Sequence, residues 1–122
     1  MKLQFLPSVY SVCQLNPTDT IPAWAANDFF SITRTEDELT IILPAGHVPN
    51  DTKAQHDFAC FRVIGALEFD VIGVIAEISK VLAEAKLPIL SISTYDTDYF
   101  LIPQDKKATA QNALIQSGYE FK

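Results

Sequence analysis

Ser91-Ile92-Ser93-Thr94-Tyr95-Asp96-Thr97-Asp98-Tyr99 decides how this chain is read. It opens as an alternating strand, reaches a turn carrying two carboxylates, and runs on into Phe100-Leu101-Ile102-Pro103. Asp and Thr side chains bond the neighbouring backbone and so form turns. Apolar runs on both sides of such a turn predict a β-hairpin. A weaker copy stands sixty positions earlier, Ser31-Ile32-Thr33-Arg34-Thr35-Glu36-Asp37-Glu38-Leu39, with Glu36 and Glu38 in register with Asp96 and Asp98. A repeat at half the chain length predicts two related units facing one another.

Working outward, residues 58–65 read as a strand, and Asp70 then stands as the N-cap of the longest helix. Val71, Ile75, Ile78, Leu82 and Ala85 form one apolar stripe at helical spacing. That helix stops before Pro88, because the residue ahead of a proline disfavours helical geometry. After the hairpin, Asp105 is read as the cap of a second helix over residues 106–117, closed by Gly118. Residues 119–121 add a last strand. The order from Ala59 is β-α-β-β-α-β, the ferredoxin-like arrangement. In the first half, strands over residues 9–15, 29–34 and 39–43 and a single turn at residues 22–25 repeat that order with shortened helices. Residues 51–57 read as a polar link of one helical turn, which sets the units at 1–57 and 58–122. The fold class expected is α+β.

Composition narrows the function. A chain of 122 residues, 48% hydrophobic and 20% charged, buries a continuous core as one domain or two small ones. The formal charge of −6 argues against electrostatic binding to nucleic acid or anionic membranes. No apolar run is long enough to span a bilayer, and the first residues lack a signal peptide's core. Cys13 and Cys60 each sit in an apolar run and read as buried free thiols. A cytoplasmic location follows as the expectation. His47 and His56 show no metal-ligand spacing, so neither metal nor cofactor is expected.

The candidate site is built from three stretches. Residues 68–73 enter the long helix, whose first backbone N–H groups suit an anion such as an α-carboxylate. Gly73 either lets a ligand approach the backbone or allows tight helix packing. Asp96 and Asp98, two apart, share a strand face and suit an ammonium or a cationic side chain, unless both simply shape the turn. Ser31, Ile32 and Thr33 offer backbone or hydroxyl groups from the first half, and Arg34 is a candidate carboxylate clamp. Trp24 reads as the cap of a core edge. No Ser/His/Asp, Cys/His, metal or phosphate-loop pattern is present, so no enzyme is expected.

The run Gly65-Ala66-Leu67-Glu68-Phe69-Asp70-Val71-Ile72-Gly73-Val74-Ile75-Ala76-Glu77-Ile78, the S-T-Y-D-T-D-Y string at residues 93–99, and residues 29–39 together resemble ACT domains. More narrowly, they are similar to the small bacterial proteins with a CASTOR-type ACT domain. The resemblance implies a tandem pair of ACT units with a small effector, most often an amino acid, held at their interface. It implies ligand contacts from Asp70, Ile72, Gly73 and Val74, from Thr94, Asp96 and Asp98, and from Ser31, Ile32 and Thr33. It also implies a regulatory protein without chemistry of its own, a homodimer or higher homo-oligomer, acting on a partner enzyme. The alternative reading is a protein–protein interaction module that keeps the fold and binds no ligand.

Overall fold

The computed structural model describes residues 1–64 and 72–122. The chain forms two compact units, Ser8–Phe58 on one side of the division and Met1–Pro7 with Ala59–Lys122 on the other. The division falls within one strand, β5 (Ala54–Val63).

The unit Ser8–Phe58 contains β2 (Tyr10–Leu15), a 3-10 turn at Ala23–Ala25, β3 (Ser31–Arg34), β4 (Leu39–Pro44), a second 3-10 turn at Ala45–His47 and the start of β5. Its strands lie in the order β3-β4-β2-β5, with antiparallel neighbours. The two 3-10 turns stand where full helices would complete the β-α-β-β-α-β order. Cys13, Ala25, Leu39, Ile41 and Leu43 make its core, and Trp24, Leu15 and Ile32 pack against it. Residues 54–57 correct the expectation of a helical link. They continue as strand, with Cys13 opposite Ala54 and Val12 opposite Gln55. β2 offers them a pairing edge, and their polar side chains face solvent, where a strand tolerates them. Buried Ser11 bonds the Nδ1 of exposed His56 through its hydroxyl at 2.6 Å.

The other unit contains β1 (Lys2–Phe5), the remainder of β5, α1 (Val74–Glu84), β6 (Leu90–Ser93), β7 (Asp98–Pro103), a 3-10 turn at Gln104–Lys106, α2 (Lys107–Gln116) and β8 (Glu120–Phe121). Its strands run β6-β7-β5-β1-β8. β1, which the sequence reading did not assign, pairs antiparallel with β5 (Leu3 opposite Val63) and parallel with β8 (Lys2 opposite Glu120). Met1–Pro7 therefore lies with residues 59–122, not with the earlier residues where a boundary at 57/58 would leave it. Leu3 is fully buried there. Phe5 stacks on Phe121 at 5.1 Å and meets Phe61 edge-on at 5.6 Å.

Both helices start later than their expected caps. α1 begins at Val74, and Gly73 is its N-cap, in the left-handed region at φ 87°. Asp70 lies outside the described residues. The buried stripe runs through Val74, Ile78 and Leu82, leaving Ile75 exposed. It is again a one-face spacing, but shifted around the helix. α2 follows the 3-10 turn, with Lys106 as N-cap and no capping side chain, so Asp105 does not cap it. Ala110 and Leu114 are its buried positions. Gly118, at φ 100°, ends α2 with the Tyr119 N–H on the Leu114 carbonyl and its own N–H on that of Ile115. That pairing is a Schellman motif.

α1 ends in the same motif, with Lys86 in the left-handed region at φ 62°. Its N–H bonds the Ala83 carbonyl, and that of Leu87 bonds Leu82. A side chain in that region is disfavoured, whereas glycine adopts it freely at a cost in unfolded-state entropy. Lys86→Gly is expected to raise stability by about 0.5–1 kcal/mol, read from denaturant midpoints at unchanged slope.

Both cysteines are free and buried. Burial pushes the Cys60 thiol up to about 12, with a backbone hydrogen bond from Phe100 opposing in part. The unfolded thiol titrates near about 8.5. The neutral thiol's contribution is therefore complete below that value and is lost as pH rises toward about 12. Unfolding curves should weaken across the alkaline range, and Cys60→Ala should flatten that part of the pH profile.

Candidate functional site

The two hairpins repeat at 59 residues, not sixty. β3 and β4 match β6 and β7, and the 3-10 turn Ala45–His47 matches Gln104–Lys106 at that offset. The backbone closes both turns alike. The Thr35 N–H bonds the Glu38 carbonyl at 2.9 Å, and the Thr94 N–H bonds the Thr97 carbonyl at 2.8 Å. The hydroxyls of Thr35 and Thr94 also accept from the N–H groups of Glu38 and Thr97. Asp96 therefore corresponds to Asp37 and Asp98 to Leu39, correcting the pairing with Glu36 and Glu38. Similar acids one position apart masked the register, and hydrogen bonds decide it.

The corrected register isolates Asp98. Its counterpart Leu39 is fully buried in a core, as strand alternation demands. Asp98 occupies the same place and is only 8% exposed. It precedes Phe100 and Ile102 on one strand face, and both of those pack in the core with α1 and α2. Asp98 thus ends a row that faces the helices. Ser93 lies opposite it across β6 and β7 and donates its hydroxyl to Oδ1 at 2.8 Å. A buried carboxylate is costly unless it is well bonded.

Thr97 donates its hydroxyl to the Val63 carbonyl at 2.8 Å, fastening the β6–β7 turn to the end of β5. Gly73 holds its conformation because the backbone requires positive φ, and a Cβ there would meet nothing within 4 Å. Open space above Gly73 removes the packing explanation for the missing side chain and leaves the backbone accessible. Val74 is buried in the core, whereas Ile72 is 95% exposed. A recess of about 230 Å³ is lined by Met1, Ile72, Val74, Glu77, Ser117, Gly118 and Tyr119. Tyr119 donates its hydroxyl to Glu77 there at 2.6 Å. Burial pushes the Tyr119 phenol up, helped by that bond and the Glu77 charge.

The remaining candidates divide. Thr94 closes the turn, and Asp96 is exposed at its tip. Ser31, Ile32 and Thr33 belong to the other unit, on β3. Ile32 packs against that unit's core, and Thr33 is exposed. Arg34 does not clamp a free carboxylate: its guanidinium donates to the carbonyls of Pro17 and, at 2.8 Å, Asp19. Sequence reasoning missed Ser93 and Thr97 as residues of the site, though both stand in the string that drew attention to it. Among the described residues, no group of three or more His, Cys, Asp or Glu could hold a metal ion. No helix among them is long and apolar enough to cross a membrane.

The ACT domain family model matches residues 53–116, and a model for an N-terminal domain matches residues 8–51. The chain belongs to the ACT domain family. A crystal structure from Agobacterium tumefaciens matches it with 30% identity and a TM-score of 0.94, over 99% of this chain and 91% of that one. A Vibrio cholerae protein of unknown function, described as a possible transport protein, matches with 20% identity and a TM-score of 0.78, over 94% and 88% of the two chains. The ligand-free regulatory subunit of aspartate kinase from Thermus thermophilus shares the fold at 12% identity and a TM-score of 0.63, over 91% and 93%. No curated protein matches the chain.

Proposed function

We propose that this protein is a regulatory ACT module of the CASTOR type that binds an amino acid through Asp98 and the entry to α1. The observation that carries the reading is the buried carboxylate of Asp98, standing where the hairpin repeat has a core leucine. A cationic partner offsets the cost of burying such a charge. The α-ammonium of an amino acid is such a partner, and the Ser93 hydroxyl holds one oxygen of the acceptor in place. The α-carboxylate then meets the backbone N–H groups at the start of α1, where the helix dipole favours an anion. Open Gly73 admits it, and Ile72 stands at the rim. Asp96, exposed at the turn, meets a cationic side chain if the ligand carries one. Asp70 is a further ligand contact in this reading.

The protein exerts its effect by binding and not by chemistry, through its own oligomer or a partner enzyme. A cytoplasmic location fits its two free thiols. The test is thermal unfolding of the purified protein against each of the twenty amino acids at millimolar concentration. A ligand at a hundredfold its dissociation constant stabilises the folded state by about 2.7 kcal/mol. One amino acid, or a few related ones, is expected to raise the midpoint by several degrees. A flat panel would favour a protein–protein module with no ligand of this class.

A further inference from the structure

We infer that Thr97 is the positioning residue of the ligand site, fixing Asp98 against the neighbouring strand; this inference rests on the function proposed above. Thr97 is 7% exposed, and its hydroxyl spans from the β6–β7 turn to the carbonyl of Val63. Val63 is the last residue of β5. Asp98 is the next residue after Thr97, so the same hydrogen bond fixes where the carboxylate enters its strand. A small displacement of one half of a binding site costs affinity even where every contact group remains.

The repeat shows that the bond is not needed to close the turn. In the other hairpin the counterpart of Thr97 is Glu38, and the backbone closure and Thr35 contacts are the same. The Glu38 side chain instead accepts from the Thr40 hydroxyl at 2.5 Å and from Gln14 at 3.4 Å. The counterpart hairpin thus reaches its neighbouring strand through an exposed side-chain contact with Gln14 of β2, whereas the hairpin that carries the buried acid makes a buried bond to a backbone carbonyl.

The experiment compares wild type, Thr97→Val, Thr97→Ser and Asp98→Asn by thermal unfolding against the twenty amino acids at millimolar concentration. For each amino acid that stabilises wild type, titration then gives the affinity. Thr97→Val keeps the shape and removes the hydroxyl, and is expected to weaken binding about tenfold or more, as loss of a supporting hydrogen bond does elsewhere. Thr97→Ser restores the hydroxyl and is expected to bind as wild type does. A purely structural role would lower the midpoint of Thr97→Val without changing affinity, and that result overturns the inference. If Thr97→Val does not fold, Thr97→Ser decides: a folded serine variant with weakened binding overturns it, and wild-type affinity supports it. Binding that Asp98→Asn abolishes but Thr97→Val leaves intact refutes the positioning role alone. No response in wild type overturns both the inference and the reading beneath it.

Discussion

Asp98→Asn is expected to remove most of the stabilisation that an amino acid confers, while the unliganded protein stays folded. Asparagine keeps the size and planarity of the side chain, and its amide oxygen still accepts from the Ser93 hydroxyl, now at 2.8 Å from Oδ1. Only the charge is lost. A hydrogen bond to a charged group contributes about 1.5–3 kcal/mol, so affinity should fall by about tenfold to a hundredfold. The unliganded fold loses a buried charge, which is itself a cost, so its melting point should hold or rise. Calorimetric titration of both proteins, with melting curves alongside, reads the two effects separately. Unchanged affinity in a folded Asp98→Asn protein would remove Asp98 from the site.

The largest effect on stability is expected from Phe61→Ala. Phe61 is fully buried at the centre of an aromatic cluster. It stacks on Phe100 with ring centroids 5.2 Å apart and meets Phe5 and Phe121 edge-on at 5.6 and 6.1 Å. These rings come from β1, β5, β7 and β8, so one side chain joins four strands. Its removal leaves a cavity that the strands cannot close without breaking register. Truncating a buried phenylalanine costs about 3–5 kcal/mol, a large share of the roughly 5–15 kcal/mol that holds a domain folded. Urea unfolding should show a midpoint far below wild type. A loss under about 1 kcal/mol would mean that the cluster is not the centre of this core.

The residues that announced the fold were those whose chemistry is local. The residues 93–98 turn was legible because Thr and Asp side chains bond the backbone beside them, and Thr94 does so. Gly118 was legible as a helix end because only its conformational freedom matters there. β1 and the start of β5 were not legible, since both depend on partners distant in sequence. Residues 55–57 are polar and exposed, so no alternation marks them as strand. They are strand because β2 has an edge to offer. The helix start misled for the opposite reason: an acid at Asp70 has the chemistry of a cap, yet Gly73 caps α1 through backbone conformation alone.

The candidate site was half legible. Asp98 was readable as an acid of the hairpin, but its distinction from Asp96 was not. That distinction comes from where β7 begins: Asp98 is its first residue and joins the row of Phe100 and Ile102, whereas Asp96 lies in the turn and is exposed. The sequence marks the face of Asp98, through its spacing from two large apolar residues, but not where the strand begins. Thr97 gave no such signal, because its partner is a backbone carbonyl at Val63. Arg34 looked like a ligand clamp for want of any visible partner, and the carbonyls of the residues 16–19 loop supply one.

The central claim, that Asp98 and the entry to α1 form one amino-acid site, is tested most directly by nuclear magnetic resonance. Backbone amide shifts of the labelled protein are followed while each of the twenty amino acids is added in turn. The account predicts that at least one of them moves the amides of Gly73 and Val74 and those of residues 94–98 together, along a single binding curve. Shifts confined to other residues, or two groups titrating with separate affinities, would contradict it.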